Sequence, residues 1–324
     1  MARKQLKYWV GFDLGGTKMQ ANVYTENWKI EGQRRRKTKG YEGVKEGLGR
    51  MIDTLREALQ ESGVMPSRLG GIGMGFPVPL DLQRGVILDT PNLGWKKVPV
   101  KAVLEKEFKC PVVIANDVDV GTYGEYVGGA AKGARCALGV FPGTGIGGGL
   151  VYNGDIYHGT RSSCLEIGHI CVQPDGPLCG CGRRGCLEVY ASATGLRLTA
   201  LELLARSDTS SRLRNLAFDD LTARLIFEAA REGDPVALES FEFTGDLLGR
   251  KLADAVAYTS PEAIFLFGGL TASGELLFGP TRRALEANLL NIYQGTVKLL
   301  PSGFPEGMAA ILGASALIWK DLSR

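Results

Sequence analysis

Residues 8–28 of the chain, YWVGFDLGGTKMQANVYTENW, follow one pattern: an apolar run, a glycine-rich turn, a second apolar run and a polar turn. This order predicts two antiparallel strands joined by a glycine loop. Residues 137–157, ALGVFPGTGIGGGLVYNGDIY, repeat the pattern and end in the hairpin signal Asn153-Gly154. Two copies of such a unit predict a duplicated fold with two related lobes, each presenting its glycine loop to a shared cleft.

Helical periodicity alternates with short apolar runs through the rest of the chain. The predicted strands are residues 71–76, 112–115 and 263–267, and the predicted helices are residues 42–62, 234–258, 280–292 and 308–320. Asp234 and Pro235 supply an N-cap and a first helical residue for the second of these helices. Strands that alternate with helices indicate an α/β fold.

The composition is that of a globular protein without a nucleic-acid partner. The 324 residues are 44% hydrophobic and 23% charged, which is enough for two domains or for one large domain with a substantial core. The 38 basic and 35 acidic residues leave a net charge of only +3. The basic run QRRRKTK at residues 33–39 is interpreted as the solvated edge of a hairpin or loop.

Neither a membrane span nor a secretory signal is expected. No apolar run approaches the ~20 residues of a membrane-crossing helix, and the apolar stretch near the N-terminus is interrupted by Asp13. The chain has seven cysteines, an odd number, which favours metal ligation in a reducing compartment over disulfides. We therefore expect a cytoplasmic protein.

The second glycine loop, Gly143–Gly148, matches the dinucleotide-binding pattern G-x-G-x-x-G. That pattern requires a following helix whose N-terminus meets the pyrophosphate, whereas a hairpin follows here. We therefore interpret Gly143, Thr144 and Gly145 as a backbone nest for a phosphate group.

The first glycine loop, DLGGTK, carries the groups that a phosphate site needs. Asp13 ends an apolar strand, where its carboxylate would hold Mg²⁺ through water. Gly15 and Gly16 let the backbone approach phosphate oxygens, Thr17 supplies a hydroxyl, and Lys18 supplies a positive charge. Two phosphate loops that face one cleft predict a nucleoside triphosphate as the ligand.

Two polar residues, Asn116 and Asp117, follow the predicted strand at residues 112–115. A carboxylate at a strand end near two phosphate loops suits a general base that accepts a proton from an attacking hydroxyl. The alternative is that both residues only cap the helix that follows. Asp119 is a second candidate base, ranked below Asp117 because the strand alternation is lost at that position.

A cluster of thiols and one imidazole lies in a stretch rich in glycine, proline and arginine. His169, Cys179, Cys181 and Cys186 form a Cys₃His set, which is the pattern of a structural zinc site. Cys171 in place of His169 is the alternative fourth ligand. Such a ligand set leaves no position open for water or substrate, so we expect the metal to brace the loop and not to catalyse a reaction.

The motifs together resemble a known fold and family. DLGGTK in one lobe and GTG in the other resemble the two-lobed actin/hexokinase-type (ribonuclease H-like) ATPase fold, here with a structural zinc loop. Residues 166–188, which contain E-x-G-H and C-x-C-G-x-x-G-C-x-E, are similar to the signature of the ROK family of repressors, open reading frames and sugar kinases. DLGGTK, PNLGW, ND, GTG, the cysteine cluster, FGG and an Ala/Gly-rich last helix follow the family's order over the whole chain.

The resemblance implies an ATP-dependent hexose kinase that phosphorylates the C6 hydroxyl of glucose, with Asp117 as the catalytic base. Mannose, fructose, allose and N-acetyl-hexosamines are the alternative substrates. The implied bound groups are ATP, Mg²⁺ and a structural Zn²⁺. The implied ligands of the sugar are Asn116, Asp117, Glu166, His169 and Glu188.

The resemblance also implies an adenosine site near Gly268 and Gly269, and a homodimer. Family repressors carry a DNA-binding segment ahead of the ATPase-like part, and none is expected here because DLGGTK begins at Asp13. A non-enzymatic sugar sensor is the less favoured alternative, since a sensor need not keep DLGGTK together with Asp117.

The expected lobes are unequal. Residues 1–118 with about residues 307–324 are expected to form a small lobe with the first phosphate loop and the catalytic aspartate. Residues 119–306 are expected to form a large lobe with the second phosphate loop, the zinc loop and the adenosine site. Two departures from the family pattern, Val78 in GFPVPLD and Val118-Asp119-Val120 after ND, are expected to shape the sugar pocket.

Overall fold

A computed structural model describes residues 7–77, 79–90, 94–161 and 163–323 of the chain. The strands are β1 (Tyr8–Leu14), β2 (Lys18–Tyr24), β3 (Ile30–Lys37), β4 (Leu69–Phe76), β5 (Leu80–Asp81), β6 (Val86–Thr90), β7 (Trp95–Val98), β8 (Val112–Asn116), β9 (Cys136–Pro142), β10 (Ile146–Tyr152), β11 (Asp155–Ile156), β12 (Ala263–Leu266) and β13 (Lys298–Pro301). The α-helices are α1 (Val44–Ser62), α2 (Val100–Phe108), α3 (Asp117–Gly128), α4 (Glu188–Ala191), α5 (Ala193–Arg206), α6 (Ala223–Arg231), α7 (Pro235–Thr259), α8 (Glu275–Asn288) and α9 (Met308–Ser323).

The described residues divide into two compact units. The first unit holds residues 7–133, 154–164 and 302–323, and the second holds residues 134–153 and 165–301. The lobe boundary expected after residue 118 falls inside α3, whose continuous backbone hydrogen bonds keep residues on both sides of it together. The change of unit lies instead between residues 133 and 134.

The first unit is built on a five-stranded sheet in the order β3-β2-β1-β4-β8. β1 pairs antiparallel with β2 and parallel with β4, and β8 extends the sheet in parallel. Val10, Phe12 and Leu14 are completely buried in a core that also includes residues of α1. The other face of β1 and β4 packs against α9, so the chain's last helix completes the core that its first strand begins.

The contact between the sheet and α9 is close because the sheet presents glycine there. A Cβ atom on Gly11 would lie 1.8 Å from the Ile311 carbonyl oxygen, and one on Gly73 would lie 1.7 Å from that of Ala314. Both distances are far below van der Waals contact. These two glycines therefore let α9 lie directly on the strands that end at the candidate site.

The second unit repeats the strand arrangement of the first. Its strands run in the order β10-β9-β12-β13, with β9 antiparallel to β10 and parallel to β12, and β13 parallel to β12. β9 and β10 thus correspond to β1 and β2, and the glycine turn between them corresponds to DLGGTK. The duplication that the sequence predicts is confirmed at the level of topology.

The four helices predicted by range are present, one of them with shifted bounds, and α3 is the helix expected after Asp117. The sequence analysis did not predict α2, α4, α5 and α6. Asp234 caps α7, since its Oδ1 accepts a hydrogen bond from Ala237 N at 3.0 Å, and Pro235 is the first helical residue. The helix expected at residues 280–292 instead spans Glu275–Asn288, with Pro280 inside it. The ring of Pro280 packs against α7 at Gly245, where the absence of a side chain leaves space for it.

Three further findings bear on the sequence analysis. Within the described ranges, no helix combines the length and apolar character needed to cross a membrane. β5, β6 and β7 form a small antiparallel sheet at the end of which Trp95 is buried against Gly47. Val78, one of the two departures from the family pattern, lies outside the described residues, and so do residues 91–93 of PNLGW.

Candidate functional site

The first glycine loop connects β1 to β2 and is held by a threonine from the end of β3. The buried Thr38 donates from its hydroxyl to Gly15 O at 2.6 Å and from its backbone N–H to Thr17 O at 2.9 Å. Gly15 N donates to Lys18 O at 2.8 Å, which closes the turn. A Cβ on Gly16 would have no atom within 4 Å, so the backbone there is open to an approaching ligand.

Asp13 and Asp117 lie at the same end of the first unit's sheet, with Gly75 between them. Asp13 is the register partner of Gly75 across β1 and β4. A Cβ on Gly75 would lie 3.6 Å from Asp13 Oδ1, 3.5 Å from Asp117 Cα and 2.7 Å from Val120 Cγ2. The absence of a side chain at Gly75 therefore leaves room for the two carboxylates to be neighbours.

Asn116 and Asp117 form the junction of β8 and α3. Asn116 Oδ1 accepts from Val118 N at 2.8 Å and from Asp119 N at 3.3 Å, so it is the N-cap of α3. Asp117 Oδ1 also accepts from Val118 N, at 2.9 Å. The alternative raised from sequence, that these residues cap the helix, thus holds for Asn116, whose Nδ2 group can still donate. Asp117 is oriented by backbone N–H groups, including that of Val118.

The electrostatics of Asp13 and Asp117 are those of two poorly solvated neighbouring acids. Burial, followed by the charge of Asp117, raises the pKa of Asp13 to about 7, and Arg35 opposes this shift. Burial raises the pKa of Asp117 to about 6. Hydrogen bonds from backbone N–H groups oppose this rise, and the charge of Asp119 adds to it. Neighbouring carboxylates whose pKa values are raised would be stabilised in their ionised form by a bound cation, and oxygen ligands suit a divalent ion such as Mg²⁺.

Asp119, the second candidate base, is held by the protein itself. It is 8% exposed, and its Oδ2 lies 3.1 Å from His158 Nδ1. Asp119 therefore anchors the segment at residues 154–164 to α3. Its remaining influence on the site is electrostatic, through the pKa of Asp117.

The second glycine loop connects β9 to β10, and its carbonyls are held by α5. Ala193 N donates to Gly143 O at 2.9 Å, and Thr194 Oγ1 donates to Thr144 O at 3.0 Å. Gly268 lies beside this loop, because a Cβ on it would be 3.1 Å from the Phe141 ring and from Pro142 O. The structure thus brings Gly143, Thr144 and Gly268 to one end of the second unit's sheet.

The cysteine cluster has the dimensions of a tetrahedral metal site. One ligand atom from each of His169, Cys179, Cys181 and Cys186 lies within 4.8 Å of every other. Cys179 Sγ is 3.6 Å from His169 Nδ1, and Cys181 Sγ is 3.7 Å from Cys186 Sγ. Zinc–ligand bonds of about 2.3 Å to sulfur and about 2.0 Å to nitrogen give tetrahedral edges of about 3.5 to 3.8 Å. The four residues therefore fit zinc, and the cluster does not include the exposed Cys171.

Glu188 links the metal cluster to the second glycine loop. Its Oε2 accepts from Ile146 N at 2.9 Å, and its Oε1 lies 3.5 Å from Cys179 Sγ. A Cβ on Gly145 would collide with Glu188 Oε2 at 2.4 Å. Glu166 is exposed and begins the 3₁₀ turn Ile167–His169, which carries the metal-facing imidazole. The cluster therefore contacts the Glu188 carboxylate directly, whereas Glu166 is joined to it only through the backbone of the turn.

Sequence reasoning missed three residues that the structure adds to these sites. Thr38 holds the first loop, Gly75 leaves room for the two acids to be neighbours, and His158 pairs with Asp119. Thr38 is the one uncharged residue among residues 34–39, which is a weak signal of burial. The other two depend on strand register and on contacts distant in sequence, which no local pattern reveals.

The two units share one strand arrangement, each has a glycine hairpin loop, and the second carries a Cys₃His cluster. These features define an α/β protein of the actin/hexokinase type. Residues 9–321 match the ROK family, and the chain belongs to that family. Both the resemblance found in the sequence and the predicted fold class are confirmed.

The relatives include glucokinases and, at lower identity, xylose repressors. The chain is 36% identical to a glucokinase of Halalkalibacterium halodurans, over 88% of this chain and 87% of that protein. It is 34% identical to a glucokinase of Thermotoga maritima, over 95% of this chain and 96% of that protein. Among solved structures, the ROK-family glucokinase from Streptomyces griseus in complex with glucose and AMPPNP is 31% identical, with a TM-score of 0.81 over 97% of this chain and 99% of that one.

Proposed function

We propose that this chain is an ATP-dependent hexose kinase that transfers the γ-phosphoryl group of ATP to the C6 hydroxyl of glucose. The relatives and the Streptomyces griseus structure support the reaction class and the substrates. The observation in this chain that carries the proposal is the carboxylate of Asp117, at the junction of β8 and α3 with a pKa raised to about 6.

Asp117 would act as the general base. A carboxyl with a pKa of about 6 is ionised at neutral pH and is a better proton acceptor than an ordinary aspartate. Most of the acceleration in phosphoryl transfer comes from positioning and charge neutralisation, so a weak base is sufficient. The hydrogen bond that its Oδ1 accepts from Val118 N would help to orient the carboxylate for this role.

The two glycine loops would bind the donor. Asp13 would hold Mg²⁺ through water, and the bound ion would neutralise phosphate charge. Open backbone at Gly16 supports this role for the first loop. The proposed donor-binding residues are Asp13, Gly15, Gly16, Thr17 and Lys18 in the first unit, and Gly143, Thr144, Gly145, Gly268 and Gly269 in the second.

The sugar ligands would be Asn116, Asp117, Glu166, His169 and Glu188. Asn116 uses its oxygen to cap α3, so it would donate to a sugar hydroxyl through Nδ2. His169 directs Nδ1 at the cysteine thiols, so Nε2–H would face the sugar while Nδ1 binds zinc. The zinc would be structural, bracing the loop that carries these ligands.

We further propose that the protein works in the cytoplasm as a homodimer with small-molecule partners only. Light scattering on the purified chain tests the dimer: the expected mass is about twice the chain's 34.8 kDa.

The central experiment is an ATP-consumption assay over glucose, mannose, fructose, allose and N-acetyl-hexosamines, with kcat/KM compared. Glucose is expected to give the highest value. A different hexose with a clearly higher kcat/KM would replace glucose as the substrate. Glucose binding without ATP consumption would instead favour the sugar sensor.

A further inference from the structure

The side chains of β3 divide between the two faces of the first unit's sheet. Arg34 and Arg36 lie on the face covered by α1, where each forms an ion pair with Glu57 at 2.6 Å. Because side chains alternate along a strand, Arg35 lies on the opposite face. The basic run at residues 33–39 thus lies at the exposed edge of the sheet, as the sequence predicts, and its side chains divide between two faces.

Strand register places Arg35 in one row with the candidate site. Arg35 is the partner of Gln20 across β3 and β2, and Gln20 is the partner of Asp13 across β2 and β1. The positive charge of Arg35 lowers the pKa of Asp13, against the burial and the Asp117 charge that raise it. The exposed guanidinium of Arg35 thus acts electrostatically on the acid that begins the first phosphate loop.

Two lysines add to the positive charge of this face. Lys18 and Lys37 are register partners on β2 and β3, and like charges directly opposite each other destabilise a sheet. In the part of the chain that the structure describes, no ion pair within 4.0 Å joins Lys18, Arg35 or Lys37 to an acid. An anion bound beside the glycine loop would relieve this repulsion.

The N-terminus of α9 approaches the same face. Gln20 Nε2 and Asn22 Nδ2 each lie 3.8 Å from Met308 Sδ, at the first residue of this 16-residue helix. The first turn of a helix carries partial positive charge from its unpaired N–H groups. Three side-chain cations and a helix start therefore converge on the face that carries Asp13.

We propose that Arg35, with Lys37 beside it, binds the terminal phosphate groups of the nucleotide donor. This inference rests on the proposed kinase function and adds two donor ligands to it. A guanidinium pairs with phosphate oxygens through two parallel N–H donors, and such pairing stabilises the charge of the transferring group. The sugar is not involved in the contact.

A structural explanation of the same residues makes a different prediction. β3 is the edge strand of its sheet, and Lys or Arg on an edge strand blocks pairing with other chains. In that case replacing Arg35 would change nucleotide affinity no more than replacing Arg34 or Arg36.

The test compares Arg35→Ala and Lys37→Ala with the matched controls Arg34→Ala and Arg36→Ala. The probes are a non-hydrolysable ATP analogue, measured by calorimetry, and glucose, measured by intrinsic fluorescence. Arg35→Ala is expected to weaken analogue binding and to lower kcat/KM for ATP by about tenfold, as loss of a charged hydrogen bond implies. Lys37→Ala is expected to lower analogue affinity and kcat/KM for ATP too, but by less than Arg35→Ala does. Glucose affinity is expected to stay within about twofold.

Arg35→Gln, with nearly the same aliphatic stem, controls for folding, and all variants are compared by Tm. The inference is overturned if folded Arg35→Ala and Arg35→Gln bind the analogue as tightly as Arg34→Ala does. If the wild-type chain binds the analogue but phosphorylates no hexose, the proposed function fails on its own. Nucleotide affinity still tests Arg35 in that case.

Discussion

At Asp117 the same burial that suits a general base also destabilises the folded chain. A carboxyl whose pKa is raised from 3.8 to about 6 binds protons more readily in the folded state than in the unfolded state. Its contribution to stability is therefore lost as the pH rises through this interval, and the ionised group opposes folding at neutral pH. Function and stability make opposite demands on this one residue.

Asp117→Asn is expected to lower kcat by about a factor of 10² to 10⁴, because the hydroxyl loses its proton acceptor. The same variant is expected to have a higher Tm at pH 7.5, because it removes a buried charge. Steady-state kinetics and calorimetry on one preparation measure both effects. Glucose affinity should stay within about tenfold, and wild-type turnover in the variant would assign the base to another residue.

If Asp117 is the base, as proposed, the pH dependence of kcat/KM for glucose reports its protonation. A base must be ionised, so activity is expected to fall as the pH drops through about 6. Asp119→Asn removes a negative charge that raises the pKa of Asp117. In this variant the fall of kcat/KM at acid pH should therefore occur at a lower pH than in the wild-type chain. An unchanged pH dependence in this variant would exclude Asp117 as the group that titrates.

The metal loop shows, at the scale of an element, how a segment without regular structure is held in one conformation. Residues 170–187 include two isolated β-bridges, Cys171 with Cys186 and Leu178 with Arg184, but no helix or extended strand. The two ends of the segment pack on the hydrophobic core of the second unit, and between them four ligand atoms lie within 4.8 Å of one another. We expect the bound metal to supply the stability that packing supplies elsewhere.

Cys181→Ser is therefore expected to lose zinc, to lower Tm and to weaken glucose affinity together, since the loop lies between His169 and Glu188, two of the proposed sugar ligands. Elemental analysis of the wild-type chain should find about one zinc per chain. Cys171→Ser is the matched control: Cys171 is exposed and outside the cluster, so zinc, Tm and affinity should not change. Loss of zinc in the control variant would make Cys171 a ligand.

At the scale of the whole molecule, the first unit is assembled from both ends of the chain. Its sheet is formed by residues 8–116, but one face of β1 and β4 is covered by α9. A unit closed by its last helix depends on contacts far apart in sequence, and these form slowly because long loops must close first.

Gly73→Ala tests this closure. The added methyl group would lie 1.7 Å from the Ala314 carbonyl oxygen, so α9 must move away from the sheet. We expect a loss of about 1–3 kcal/mol or more in the free energy of unfolding, measured by urea denaturation. Gly49→Ala in α1 is the control, because nothing lies within 4 Å of its Cβ position and alanine favours a helix. Equal stability of the two variants would contradict the close contact.

The sequence by itself determined the fold class, many of the elements and a set of candidate site residues. Periodicity and turn chemistry are local, so the glycine hairpins, the N-cap at Asp234 and the Cys₃His set could be predicted from residue order alone. Only the tertiary structure decided that Gly75 leaves room for Asp13 beside Asp117, that Thr38 holds the first loop, and that Arg35 faces away from Arg34. Those facts depend on strand register and on which face a helix covers. Register is set by packing between segments distant in sequence, which no single stretch of residues encodes.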